Sequence, residues 1–115
     1  MTAAFNLNLL HRINRELYGS VPVEAFRHVA RWNAAETRIE MHLEARRAVR
    51  FEIDGCVFSM AEGETMHTEN SHKYGSRDAR LLLRAGGWSP LAEWTDEHHL
   101  FALFLATAAA SPAAP

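Results

Sequence analysis

The chain has 115 residues, of which 48% are hydrophobic and 23% charged, and its formal net charge at pH 7 is −2. This composition is typical of a soluble globular protein whose length suits one domain, and it excludes a disordered or fibrous chain. The near-neutral charge gives no reason to expect nucleic acid or a membrane as a partner. The single cysteine excludes a disulfide framework and fits a reducing, cytoplasmic setting.

The chain opens with a helical pattern. An amphipathic helix is predicted over residues 4–18 by apolar side chains at helical spacing: Phe5, Leu9, Leu10, Ile13 and Leu17. Gly19 and the turn residues after it are predicted to end this helix. Pro22 then predicts a short helical turn over residues 23–26, because proline is well suited to the start of a helix.

From residue 28 onward the apolar period changes to two, which predicts antiparallel strands. The predicted strands cover residues 28–32, 38–45, 49–53, 56–60 and 65–71. Asp54-Gly55 lies between two apolar runs, and this dipeptide predicts a tight hairpin. Cys56 begins an apolar strand, where we expect it to be a small core residue.

Beyond Gly75 the pattern predicts a helix followed by two strands. Ser76 is expected to cap the helix over residues 76–84, with Ala79, Leu82 and Leu83 facing inward. Strands are predicted over residues 88–94 and 100–107, and the second is almost wholly apolar, as in strands that are covered on both faces. The fold class is therefore α+β, with a disordered tail over residues 108–115.

Common catalytic and cofactor signatures are absent from the sequence. The seven histidines include no pair at zinc-ligand spacing, since His67 and His72 fall on opposite faces of a strand and His98-His99 lie in a turn. No Gly-x-Ser-x-Gly elbow and no glycine-rich phosphate loop occurs. The sequence thus predicts no metal site, no catalytic nucleophile and no cofactor-binding residues.

One polar strand could bind a ligand. Glu69 and Ser71 are two residues apart and project from the same face of the predicted strand, whereas Thr68 should face the other way. A carboxylate and a hydroxyl held about 7 Å apart can meet the two nitrogens of one imidazole ring. From spacing alone, a solvated edge strand is the simpler interpretation.

Several segments of this chain resemble one known family. They are FNLNLLHRINREL at residues 5–17, Trp32-Asn33, RIEMHL at 38–43, AEGE at 61–64, TENSHKY at 68–74 and Trp94-Thr95-Asp96. In this order they resemble the C-terminal part of the histidine-specific, S-adenosylmethionine-dependent methyltransferases. Within that family the resemblance is greatest to the enzymes that methylate the α-amine of histidine in ergothioneine biosynthesis, and it covers about residues 2–106.

The resemblance implies a fold and a set of binding residues. It assigns residues 1–75 to an inserted substrate-binding region and residues 76–107 to the C-terminal edge of a Rossmann-like methyltransferase sheet. It also implies that Glu69 binds the substrate imidazole, that Ser71 hydrogen-bonds the same ring and that Met41 lines the pocket beside it. A thioether suits that last position because it packs adaptably against aromatic rings.

The resemblance leaves two functional hypotheses. In the first, the chain is a C-terminal fragment or split part of a histidine methyltransferase, and a separately encoded N-terminal half is its partner. The family's cofactor loops lie upstream of the matching residues, so the chain alone is expected to be inactive and to bind no S-adenosylmethionine. In the second, it is a stand-alone, non-catalytic module that binds a small ligand or a partner. Self-association through the apolar last strand is expected in either case.

Overall fold

The computed structural model describes residues 1–109, which form two compact units. The first unit is Met1–Lys73, and the second begins at Tyr74. The roles predicted for residues 1–75 and 76–107 remain predictions. Of the predicted disordered tail, residues 110–115 lie outside the described residues, while Ala108 belongs to the last strand. No helix within residues 1–109 has the length and apolar character to cross a membrane.

The first unit contains one long helix, a three-stranded sheet and a separate hairpin. Its elements are α1 (Thr2–Glu16), a 3₁₀ helix (Val23–Ala25), β1 (Phe26–Asn33), β2 (Arg38–Ala45), β3 (Val49–Ile53), β4 (Cys56–Met60) and β5 (Thr65–His72). The sheet has the order β1-β2-β5 with antiparallel pairing throughout, and β3 pairs with β4 alone. The predicted elements all form, and the α+β class is confirmed.

The core of the first unit lies between α1, the sheet and the base of the hairpin. Its buried apolar residues are Leu10, Val21, Ala25, Phe26, Leu43, Ala45, Val49, Phe51 and Met60. The stripe predicted for α1 is only partly buried, because Leu10 is enclosed whereas Phe5 is 72% exposed. The helix therefore contacts the core along its middle and leaves an apolar side chain accessible near its N-terminus.

Gly19 follows the end of α1 and permits a close backbone approach. The Asn14 side chain donates to the Val21 carbonyl at 2.9 Å and accepts the Val21 N–H at 2.8 Å. A Cβ atom at Gly19 would lie 2.7 Å from Asn14 Oδ1, which is closer than real Cβ atoms come. A larger residue here would displace the Asn14 amide, so glycine allows the two hydrogen bonds that join the end of the helix to Val21.

The predicted hairpin forms at Asp54-Gly55, where both residues have positive φ angles of 47° and 80°. These angles are typical of the tight turns that match the twist of paired strands. The predicted core position of Cys56 is wrong, since this residue is exposed. On β4 only Met60 is buried, and the other core residues of the hairpin, Val49 and Phe51, lie on β3.

The second unit consists of α2 (Ser76–Ala85), β6 (Trp88–Thr95) and β7 (Ala102–Ala108), with β6 and β7 paired antiparallel. The predicted Ser76 cap is wrong: Gly75 occupies the N-cap, and the Ser76 hydroxyl donates to Glu93 at 2.7 Å.

The inward orientation predicted for Ala79, Leu82 and Leu83 is wrong for Leu82, which is 54% exposed. Ala79 and Leu83 are half-buried, and no residue of α2 is fully buried. One helix and two strands are too few elements to enclose a core.

The turn between β6 and β7 is organised by Asp96. Its Oδ1 accepts the N–H of Phe101 at 2.7 Å, and its Oδ2 accepts the N–H of His98 at 3.3 Å. The Phe101 bond is the main reason that the pKa of Asp96 lies below its usual 3.8, because a backbone donor favours the charged carboxylate. The hairpin is consequently stabilised by the ionised form of this side chain.

We expect Asp96→Ala to weaken the β6–β7 hairpin at neutral pH and to have progressively less effect in acid. A carboxyl group whose folded pKa is depressed contributes stability above its unfolded pKa, and this contribution is lost as the pH falls through the folded pKa. Amide hydrogen exchange of β6 and β7 at about pH 7 and about pH 3 measures the difference. Glu97→Ala, in the same turn, is the control; an Asp96→Ala effect equal at both pH values would contradict this expectation.

Candidate functional site

The three residues predicted to bind a ligand lie on one face of the β1-β2-β5 sheet. Met41 on β2 is the direct cross-strand partner of Glu69 on β5, and Ile39 is the partner of Ser71. Directly opposed residues have Cβ atoms about 4.5–5.5 Å apart and project from the same face. Glu69 and Ser71 are therefore neighbours along one strand, and Met41 lies beside them on the next.

These three side chains line one open cavity of about 300 Å³ together with Met1 and with Thr2 and Phe5 of α1. A second cavity, of about 230 Å³, lies further along the same helix and is also lined by Phe5 and Glu69. The structure thus brings Met41, Glu69 and Ser71 together beneath the N-terminal part of α1. That they bind a ligand stays a prediction.

The first cavity, which we call the Glu69 cavity, contains both a hydrogen-bond acceptor and a hydrogen-bond donor. In the part of the chain that the structure describes, the Glu69 carboxylate makes no hydrogen bond or ion pair. Ser71 Oγ accepts a hydrogen bond from Lys73 Nζ at 2.8 Å, which leaves the serine proton able to donate elsewhere. The cavity therefore presents one charged acceptor and one hydroxyl donor.

A β-bulge determines which side chains of β5 face the helix. Met41 pairs with Glu69 but the next residue, His42, pairs with His67, so Thr68 has no partner in the register. The predicted orientation of Thr68 away from Glu69 is wrong, because its hydroxyl lies 2.7 Å from Asn6 Oδ1 on α1. An extra residue at a bulge interrupts the strict alternation of faces.

Asn6 fastens α1 to the sheet at this bulge. It is 5% exposed, and its amide nitrogen lies 2.9 Å from His28 Nδ1 and 3.3 Å from the His42 carbonyl oxygen. Its Oδ1 accepts the Thr68 hydroxyl. Asn6 is not among the residues predicted from the sequence, although its spacing indicates burial: it lies four positions before Leu10 and thus on the buried stripe of the helix.

The opposite face of the same strands carries an ionic network around Glu40. Its Oε2 accepts from Asn33 at 3.0 Å and from Arg38 Nε at 2.9 Å, and its Oε1 lies 3.0 Å from His42 Nε2. These donors, with Asn33 the largest contributor, lower the pKa of Glu40 from 4.5 to about 2. Glu40 is therefore a firmly ionised carboxylate.

Comparison with known proteins places these residues in a family. Residues 1–108 match the family of histidine-specific, S-adenosylmethionine-dependent methyltransferases. The chain is 45% identical over 108 residues to the histidine N-alpha-methyltransferase of Mycobacterium tuberculosis (strain CDC 1551 / Oshkosh). It is 43% identical, also over 108 residues, to the protein of the same name from Mycolicibacterium smegmatis (strain ATCC 700084 / mc(2)155).

Each of these alignments covers 92% of this chain and 34% of the relative. The chain belongs to the histidine-specific methyltransferase family, and the resemblance drawn from its sequence is confirmed. It spans about a third of the length of the curated relatives that it matches.

The residues that the structure describes contain no glycine-rich strand-to-helix loop for the cofactor of the family, S-adenosylmethionine. Nucleoside cofactors are usually held where a glycine-rich loop joins a strand to the N-terminus of a helix. Between residues 1 and 109, the strand-to-helix connection from β5 to α2 is Lys73-Tyr74-Gly75, which contains a single glycine. Gly55 and Gly87, two of the glycines with positive φ, lie in a strand-to-strand turn and a helix-to-strand turn respectively.

We expect Asn6→Ala to destabilise the first unit by about 1–3 kcal/mol, because half-buried polar partners on β1 and β5 lose their hydrogen bonds to this buried side chain. Amide hydrogen exchange of β1, β2 and β5 measures the loss within this unit. Asn8→Ala, an exposed position on the same helix, is the matched control. If the two variants behaved alike, Asn6 would not be the anchor of α1.

Proposed function

We propose that the Met1–Lys73 unit supplies the imidazole-recognising side of the active site of a histidine Nα-methyltransferase. One observation carries this proposal: the unpaired Glu69 carboxylate lies beside the Ser71 hydroxyl and opposite Met41 in a single cavity. Membership of the histidine-specific methyltransferase family supports the same substrate. The reaction we assign to the complete enzyme is trimethylation of the histidine α-amine on the route to ergothioneine.

The cavity's polar groups match a neutral imidazole ring. Such a ring has one N–H donor and one nitrogen lone pair. Glu69 accepts the N–H in a charge-assisted hydrogen bond, and Ser71 donates its proton to the second nitrogen, since Lys73 already donates to the serine oxygen. Phenyl and indole rings lack one or both of these nitrogen groups, so they would leave the site's polar groups unpaired and bind more weakly.

Met41 and Phe5 provide the apolar contacts of the same site. Both line the Glu69 cavity, Met41 from the sheet and Phe5 from α1. A methionine adapts its shape to an aromatic ring and makes favourable sulfur–aromatic contacts, worth about 0.3–1.5 kcal/mol. By holding the ring, these residues would fix the position of the α-amine, and orientation of this kind contributes several kcal/mol to catalysis in favourable cases.

We further propose that the cofactor is held by residues corresponding to the other two-thirds of the relatives, on the same polypeptide or on a partner chain. The described residues do not provide a nucleoside cradle, and the relatives extend well beyond the matched segment. The role of this chain's own residues in the reaction is therefore substrate binding, and none of them is assigned as a catalytic residue.

The second unit fits a docking role in that arrangement. It exposes a series of large apolar side chains, which are Leu81, Leu82, Trp88, Leu91, Trp94, Leu100, Phe101, Leu103 and Leu105. Apolar patches of this kind are rare on the surface of monomeric proteins and mark interaction sites. The occupant we propose is the remaining part of the methyltransferase, because about two-thirds of the relatives' length lies outside the matched segment.

A fusion of the unmatched segment of the Mycolicibacterium smegmatis relative to this chain tests the substrate site. We expect the fusion to methylate histidine, and Glu69→Ala in it to lower kcat/KM roughly 10- to 150-fold, because a charge-assisted hydrogen bond worth about 1.5–3 kcal/mol is lost. Ser71→Ala should lower kcat/KM about fivefold, since a neutral hydrogen bond contributes about 1 kcal/mol. Mass spectrometry of methylated histidine is the measurement.

Glu52→Gln, an exposed glutamate on β3, is the control in this fusion and should leave kcat/KM unchanged. Thr68 is unsuitable as a control because it bonds to Asn6. Small and equal effects of Glu69→Ala, Ser71→Ala and Glu52→Gln would contradict the assignment of Glu69 and Ser71.

In isothermal titration calorimetry, the 115-residue chain alone should give no saturable heat with S-adenosylmethionine at about 1 mM. A saturable one-site titration would contradict the proposed location of the cofactor site.

We expect the 115-residue chain on its own to form dimers or larger oligomers at tens of micromolar, because the apolar surface of its second unit is uncovered. Light scattering coupled to size-exclusion chromatography measures the mass. Leu103→Glu with Leu105→Glu should shift the population toward monomer, whereas Thr107→Glu on the same strand should not. A sharp monomer peak for the unaltered chain would count against an uncovered docking surface.

A further inference from the structure

Three potential metal ligands meet on the face of the sheet opposite to the Glu69 cavity. His42 on β2 and His67 on β5 are direct cross-strand partners, and their rings stack with centroids 4.6 Å apart and planes 16° from parallel. Glu40 lies two residues before His42 on the same face of β2. One ligand atom from each of the three residues lies within 4.8 Å of the other two.

Neighbouring polar groups hold the two histidine rings in this stacked arrangement, so one ring would turn about its side-chain bonds to direct its lone pair at a shared ion. Thr65 Oγ1 lies 3.0 Å from Nδ1 of His42, while Nε2 of the same ring donates to Glu40 and would release its proton when an ion binds there. Asn70 Oδ1 is bonded to Nε2 of His67 and, since a carbonyl oxygen only accepts, Nε2 carries the proton. In the neutral His67 ring the free lone pair is therefore on Nδ1.

The carboxylate of the group is held in the same way. Asn33 and Arg38 both donate to Oε2 of Glu40, which leaves Oε1 at 3.0 Å from His42 Nε2. Metal-binding histidines and carboxylates in proteins are typically fixed by such partners on their outer atoms, and these partners orient the ligand and set the histidine tautomer.

We propose that Glu40, His42 and His67 form a binding site for a divalent transition-metal ion of the zinc type. Two imidazoles and one carboxylate are an established ligand set for zinc, and a water molecule completes the four-coordinate geometry. Ligands about 2.0–2.1 Å from a tetrahedral zinc ion are roughly 3.3 Å apart. The 3.0 Å between Glu40 Oε1 and His42 Nε2 is close to that value, and the ligand atom of His67 lies within 4.8 Å of both.

The proposed site connects β2 to β5 next to the bulge. His42 is buried and His67 is exposed, so the ion would enter from the His67 side and bind at the sheet surface. Because the ligands face away from the Glu69 cavity, the proposal does not depend on the proposed function. A bound ion would act as a cross-strand link and stabilise the folded first unit by mass action.

The test is an isothermal calorimetric titration of the chelator-treated 115-residue chain with Zn²⁺ alone. We expect one saturable site, and His67→Gln should weaken binding about tenfold or more, because even an outer partner of a metal ligand is worth ~10–100-fold in affinity. Glu40→Gln should have a similar effect. His11→Gln, an exposed histidine on α1, is the matched control and should bind as the unaltered chain does.

Two further readouts separate this site from chance binding. Zn²⁺ should raise the midpoint temperature of thermal unfolding for the unaltered chain but not for His67→Gln. Co²⁺ should give a visible absorption band with the unaltered chain, and this band should be absent with His67→Gln. His67 is exposed, so this variant is not expected to unfold the protein. The proposal is overturned if no saturable Zn²⁺ binding occurs, if His67→Gln binds normally, or if binding is lost only when His98 and His99 are both replaced.

Discussion

The pairing of β2 with β5, with one extra residue at Thr68, is the constraint on which the first unit depends. Without the bulge, strict alternation would place Thr68 and Glu69 on opposite faces. With it, the Thr68 hydroxyl reaches Asn6 on α1 while Glu69 stays opposite Met41. One buried asparagine therefore sets both the position of the helix and the wall that the helix forms over the cavity.

The same pair of strands carries different chemistry on its two faces. Met41 lies between Glu40 and His42 in the chain, so the residue that lines the Glu69 cavity is flanked by two members of the ionic network on the other side. Arg38 anchors that network at one end. A short strand that is hydrogen-bonded on both edges and fixed on both faces has little freedom to move. This rigidity suits a wall that must present ligand groups at a constant separation.

The sequence was sufficient for the elements but not for every contact. Hydrophobic period and the Asp54-Gly55 turn identified the helices and strands, because these signals are local. The alternation of side chains along a strand predicts that Glu69 and Ser71 share one face, whereas their role in imidazole binding is implied by the family resemblance.

Local signals failed where burial or register depends on distant partners. Cys56 and Leu82 were wrongly placed inside because an apolar residue is buried only if another element covers it. The bulge, and with it the cluster of Glu40, His42 and His67, depends on hydrogen bonding between strands that are far apart in the sequence.

The exposure of most of β4 has a practical use as well. Cys56 is the single thiol of the chain and lies exposed on β4, outside the three-stranded sheet. A thiol-directed dye would therefore attach at one defined place, and it could follow docking or folding of the chain without touching either face of the strands that carry the ligand groups.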